Sequence, residues 1–222
     1  MIGDRVCPVK NCVASGEPER QQEELNMDKK VKKLVGIGLF TAIVVVLQLW
    51  GSAIKVGMFS ISLVLVPIVV GAALYGWDAG AWLGFVFGGV VLLSGDAAPF
   101  MAVDVVGTIV TVLVKGTTCG LAAGLVYKLL TCLPGKNQTL KTVLAVVAAA
   151  LTCPVVNTGI FLLGCRLFFF ETVAAWGTAA GFADAGTFMI VGLVGVNFLL
   201  EVATNIVLAP VIVRLIKIGQ KN

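Results

Sequence analysis

Long apolar runs recur along this chain, parted by short polar segments. They fall at about 34–50, 61–75, 79–94, 101–130, 142–166 and 187–213, and charged side chains are nearly absent within them. A bilayer is crossed by about 20 apolar residues in a helix, so the pattern predicts an all-α integral membrane protein, a six-transmembrane-helix bundle. The stretch 61–95 organises it. Gly76, Gly80, Gly84 and Gly88 recur at every fourth position, which on a helix makes one stripe without side chains. Such a stripe admits a second helix backbone, the contact that holds helices together in lipid. Gly116, Gly120 and Gly124 repeat the device in the fourth run. The second and third runs are shorter than a usual span, which suits helices inside the bundle. Pro67 lacks a backbone donor and is expected to kink the second.

The polar segments set the topology. Lys29, Lys30, Lys32 and Lys33 precede the first run, Lys128, Lys136 and Lys141 flank the linker 131–141, and Arg214 and Lys217 follow the last run. Basic residues mark the cytoplasmic side, so both termini are expected to be cytoplasmic. Only Lys55 and Arg166 fall near the opposite side. Outer loops are expected at 51–60, 94–99 and 167–186, the last too polar and glycine-rich to span and open to a re-entrant path. Residues 1–26 read as a disordered tail or an over-extended start before Met27, 27–217 as the six-helix membrane domain, and 218–222 as a cytoplasmic tail.

Composition narrows the chemistry. Of 222 residues, 59% are hydrophobic and 13% charged, against about 25% charged in a soluble domain. The net charge of +4 comes from span ends rather than a basic patch, so nucleic acid is not expected as a partner. Histidine is absent, which removes the commonest proton shuttle and metal ligand. Cys7 and Cys12 have no second pair for zinc, and Leu133-Pro134-Gly135-Lys136-Asn137 lacks the glycine and hydroxyl residue of a phosphate-binding loop. Neither catalysis nor a bound metal or cofactor is expected of this chain.

Charges inside a membrane are costly, and they face a bundle interior or a wet cavity. Lys115 and Glu201 each stand mid-span, at similar depth and with opposite sign. Asp104, Thr108, Thr111 and Lys115 share one helical face, as do Asn197, Glu201 and Asn205. Asn157 in the fifth run falls near the depth of Asn197 and Thr111. Polar groups from the fourth, fifth and sixth helices thus converge on what a pocket for a small hydrophilic solute requires. The plainer alternative is that Lys115 and Glu201 only staple two helices and that the asparagines bond across the bundle. Asn205 lies deeper and reads as structural. Among the outer aromatics, Trp176 is the one whose loop could close over a pocket.

The order Pro67, Gly71, Leu74-Tyr75-Gly76, Gly80-Ala81 and Gly84 resembles the second and third helices of the substrate-binding S components of energy-coupling factor (ECF) vitamin transporters. The basic start, the Gly38-x3-Ala42 face and the asparagines of the last two spans extend that resemblance over 27–217. It implies capture of a water-soluble vitamin or related micronutrient from outside the cell membrane, in bacteria. A membrane scaffold (the T component) and two ABC ATPases, which use the ATP, would power release inside. It also implies that Gly38 and Ala42 lie on the face that docks on the scaffold, and that 51–60, the outer half of span four, Asn157 and Asn197 line the pocket. No subfamily's ligand motif matches, and the lack of histidine speaks against the cobalt and nickel branch. Two other classes remain open on sequence alone: a self-sufficient secondary carrier, which would carry an internal repeat, and an assembly subunit without a pocket.

Overall fold

The computed structural model describes residues 17–52, 55–56, 59–60, 63–134 and 138–219. Two compact units divide the chain at Gly36; the first contains the helical residues 17–36, and the second, from Ile37 onward, holds the helices of the bundle. Glu17–Ser52 is α1, Leu65–Tyr75 α2, Trp77–Leu93 α3, Ala98–Met101 α4 and Val105–Cys132 α5. Gln138–Phe168 is α6, Phe170–Ala179 α7 and Ala185–Thr187 α8; a π-helical stretch, Phe188–Gly195, then runs into α9, Val196–Gly219. The β content among the described residues is one antiparallel pair, Lys55–Val56 (β1) with Phe59–Ser60 (β2). Long apolar helices with apolar side chains outward, among them Leu39, Val46, Trp82, Leu129, Leu163 and Val207, make this a multi-pass helical membrane protein. In water such a surface would drive aggregation.

Four helices meet the length and composition of a span: Lys30–Ser52, Val105–Cys132, Gln138–Phe168 and Asn197–Ile216. α2 and α3 are shorter. At 1.5 Å per residue, the 11 residues of α2 reach only about 16 Å. It is buried along nearly its whole length, from Leu65 to Ala73.

The glycine stripes meet each other. α3 and α5 pack so closely that a Cβ on Gly84 would collide with the Gly116 carbonyl, and one on Gly80 with the Gly120 carbonyl. Farther along, a Cβ on Gly88 would stand 2.8 Å from the Val112 carbonyl oxygen, and one on Gly124 2.6 Å from the Trp77 Cα. Glycine is required here by backbone contact rather than by a special φ. α6 packs on the opposite side of α5, where Gly164 leaves the space that Thr111 occupies. Pressed from both sides, α5 is the fixed post of the structure.

Four expectations change. Pro67 stands in the first turn of α2 rather than inside a span; first-turn N–H groups have no intrahelical partner, so its missing donor removes no ladder bond. The fourth helix starts at Val105, because residues 94–104 form a turn, the short α4 and an Asp104 cap. Much of 167–186 is helical rather than loop. In α7, Val173 and Gly177 are buried one turn apart and follow the buried Phe169, an i, i+4, i+8 stripe diluted by alanine, threonine and glycine. Finally, residues 17–26, read as part of a disordered tail or an over-extended start, are helical, in keeping with their glutamates, glutamines and arginine after an early Pro18. Residues 1–16 lie outside the described residues.

Candidate functional site

α5 begins with a true cap. The Asp104 backbone is extended, at φ −147° and ψ 108°, and its carboxylate accepts the Val106 N–H at 3.0 Å. From there Thr108, Thr111 and Lys115 follow down one face. α6 brings Asn157, Thr158 and Phe161 against that face, and α9 brings Asn197 and Glu201. The inward stripe of α1, Val44 and Gln48, closes another side.

Between these elements lies a cavity that encloses about 60 Å³, small beside the roughly 300–1,000 Å³ usual for ligand pockets. It sits at the end of the bundle where α1 and α3 finish and α5 begins. Thr108, Thr111, Lys115, Asn157, Asn197 and Glu201 all line it, so six of the eight residues singled out for binding are brought together. Asp104 and Trp176 are not among its walls. Asp104 is occupied as the helix cap. Trp176 stands one ring behind, its indole edge-on to Phe100 at 5.4 Å, and it is Phe100 that faces the cavity.

The walls are polar where lipid-facing logic would have them apolar. Thr111 is 5% exposed, Asn157 5% and Glu201 2%. The oxygens Thr111 Oγ1, Asn157 Oδ1 and Asn197 Oδ1 are buried without a hydrogen-bond partner among the described residues. Leaving such a group unsatisfied costs about 1–3 kcal/mol, and these converge on one space. Asn205 donates to the Glu201 carbonyl at 2.9 Å and lies off the cavity, although its Oδ1 is likewise buried without a partner among the described residues. The Lys115 ammonium lies 5.0 Å above the Phe161 ring and feels the Glu201 charge. Glu201 in turn accepts from Asn197 Nδ2 at 3.2 Å.

Several walls were not anticipated. Gln48 is 1% exposed and donates from Nε2 to Asp96 Oδ2 at 2.9 Å, while Ser94 Oγ lies 3.2 Å from that same carboxylate oxygen. Gln48 interrupts the apolar run VVVLQLW, a signal that was present in the sequence. Asp96 reads there as an ordinary turn residue. Phe87, Phe100, Phe161 and Phe169 add an aromatic side, with Phe100 edge-to-face on Phe161 at 5.5 Å and on Phe169 at 5.1 Å. Of segment 51–60, which the family resemblance sets at the pocket, residues 53–54 and 57–58 lie outside the described residues. A second cleft, between α6 and α9, is lined by apolar side chains alone, such as Val143, Ile206 and Val213.

Gly38 and Ala42 are both exposed on α1, on the side away from Val44 and Gln48, and a Cβ on Gly38 would meet nothing within 4 Å. That face is open.

A helical membrane protein with a polar, partly unsatisfied cavity near one end of its bundle has the form of a solute-binding subunit. The sequence pattern of the family "ECF transporter, substrate-specific component" matches residues 32–213, and the chain belongs to that family. As such it is a substrate-binding part of a transporter and not an enzyme. Its fold is similar to the solved structure of ThiT from Listeria monocytogenes, with a TM-score of 0.61 and 23% identity over 83% of this chain and 94% of that one. No curated protein sequence matches.

Proposed function

We propose that this protein captures a water-soluble vitamin or related micronutrient at the outer face of a bacterial cell membrane and delivers it to an ECF T component driven by two ABC ATPases. The observation that carries this reading is the cavity. Buried hydroxyl and amide oxygens from α5, α6 and α9 point into one space without partners, and a hydrophilic solute would satisfy them. In this reading residues 27–217 form six spans, α2 and α3 included, with both ends cytoplasmic. The chain itself binds no cofactor, and ATP is used by the partner ATPases. The open Gly38–Ala42 face of α1 would meet the scaffold.

Mass spectrometry of small molecules released from the detergent-purified protein tests the reading directly. A bound micronutrient is the expected result; repeated preparations free of any small molecule, together with no solute binding, would remove it. Asn157→Ala and Asn197→Ala are each expected to weaken binding of the released molecule by about tenfold, the loss of one or two hydrogen bonds at roughly 1–1.5 kcal/mol each. Expression and melting temperature should stay close to those of the parent. Unchanged affinity in both variants would reassign the two asparagines to helix packing.

A further inference from the structure

The polar walls of the cavity differ in their balance of donors and acceptors. On the α5–α6 side most groups can donate, and Asn157 adds an amide whose Oδ1 is buried without a partner among the described residues. The Lys115 ammonium has three N–H donors and no hydrogen bond to a described residue, and Thr111 and Thr158 offer hydroxyls to the same space. On the other side stand acceptors. The Gln48 amide is oriented by its own donor: Nε2 is spent on the Asp96 carboxylate at 2.9 Å, which can only accept, so Oε1 is the atom left over. Oε1 is buried without a partner among the described residues. The Asn197 amide is fixed in the same way by Nδ2 on Glu201 at 3.2 Å, leaving Oδ1 as its unpartnered acceptor. These orientations follow from the chemistry of the bonded partner rather than from an arbitrary amide assignment.

Resting on the capture reading, we infer that the ligand is a zwitterion: an acidic group seated against Lys115, Thr111 and Thr158, and an ammonium or similarly cationic N–H group seated against Gln48 Oε1, Asn197 Oδ1 and the Asp96 carboxylate. A pure anion would meet the acceptor wall and two carboxylates. A pure cation would leave the Lys115 ammonium without an acceptor. A neutral polyol would satisfy the amides but use neither charge. The apolar middle of the ligand packs against Phe100 and Phe161, which line the same space.

Three probes on one ring separate the possibilities: 4-(aminomethyl)benzoate, benzylamine and benzoate, added to the purified full-length protein and read by thermal shift and calorimetry. The zwitterion is expected to bind about tenfold or more tightly than either singly charged probe, since each added charge-assisted hydrogen bond is worth at least that factor. Lys115→Gln should erase its advantage over benzylamine, and Asp96→Asn its advantage over benzoate. If one variant fails to fold, the other and the parent protein still decide. Benzylamine or benzoate binding as tightly as the zwitterion overturns the charge assignment, and so does a co-purifying molecule that lacks either charged group; capture itself survives both results. Failure of all three probes with no co-purifying molecule removes capture and the charge assignment together.

Discussion

Replacing Gly84 with leucine is expected to leave no folded bundle. Ordinary overpacking of a core costs about 1–3 kcal/mol, because side chains can shift. Here the obstacle is the Gly116 carbonyl on the facing helix, and backbone cannot turn aside without separating α3 from α5 along the whole stripe. The cost should therefore exceed that range. Gly89→Leu is the matched control, five residues along the same helix, where an added Cβ meets nothing within 4 Å. There leucine should even help, by about 1 kcal/mol of helix propensity. Gel filtration and melting in detergent distinguish the two. If Gly84→Leu gives a monodisperse protein with the parent's melting temperature, the close α3–α5 contact is not what holds this fold.

Glu201→Gln is expected to be the most damaging polar substitution. The amide keeps the size of the side chain and can still meet Asn197, but it removes the negative charge that acts on Lys115. The ammonium then keeps only the weaker attraction of Asp96 beside a phenylalanine ring and amides. Breaking one partner of a buried charge pair costs about 3–5 kcal/mol, so the variant should melt well below the parent and lose its ligand. Adding Lys115→Met should restore much of the stability, because the stranded charge is gone, but not the binding. That split separates a binding role from a mere staple: a staple would lose stability and leave affinity, once refolded, untouched. Equal stability of Glu201→Gln and the parent would mean that the two charges do not depend on each other.

The part of the site that was legible in the sequence was legible for a single reason. An ammonium, a carboxylate or an amide inside an apolar run is expensive, so Lys115, Glu201, Asn157 and Asn197 announce themselves, and helical spacing adds Thr108 and Thr111. The glycine stripes were readable in the same way, since a four-residue repeat of missing side chains has few uses other than close packing. Asp96 could not be found so, because a carboxylate in a Ser-Gly-Asp turn resembles any exposed turn. Only the turn at 94–97 brings it within reach of Gln48. The phenylalanines of the cavity wall were hidden among many others in an apolar chain, where ring identity says nothing about direction. Segment 167–186 misled because its small and polar residues dilute a stripe whose burial comes from the partner surface, not from its own hydrophobicity. The π-helical stretch has no sequence signature beyond Gly192, whose missing side chain admits the Phe188 and Phe182 rings.

The contact between Trp176 and Phe100 has a practical side. Trp50, Trp77 and Trp82 are each more than two-fifths exposed on the outer faces of their helices, where solute in the cavity cannot reach them. The Trp176 indole abuts the back of a ring whose front is the cavity wall. Its emission is therefore expected to shift when the cavity fills, and a Trp176→Phe variant should lose that optical change while still taking up solute. Titrating fluorescence with excitation at the red edge of indole absorption would then track occupancy in real time without any label, the protein lighting its own gauge.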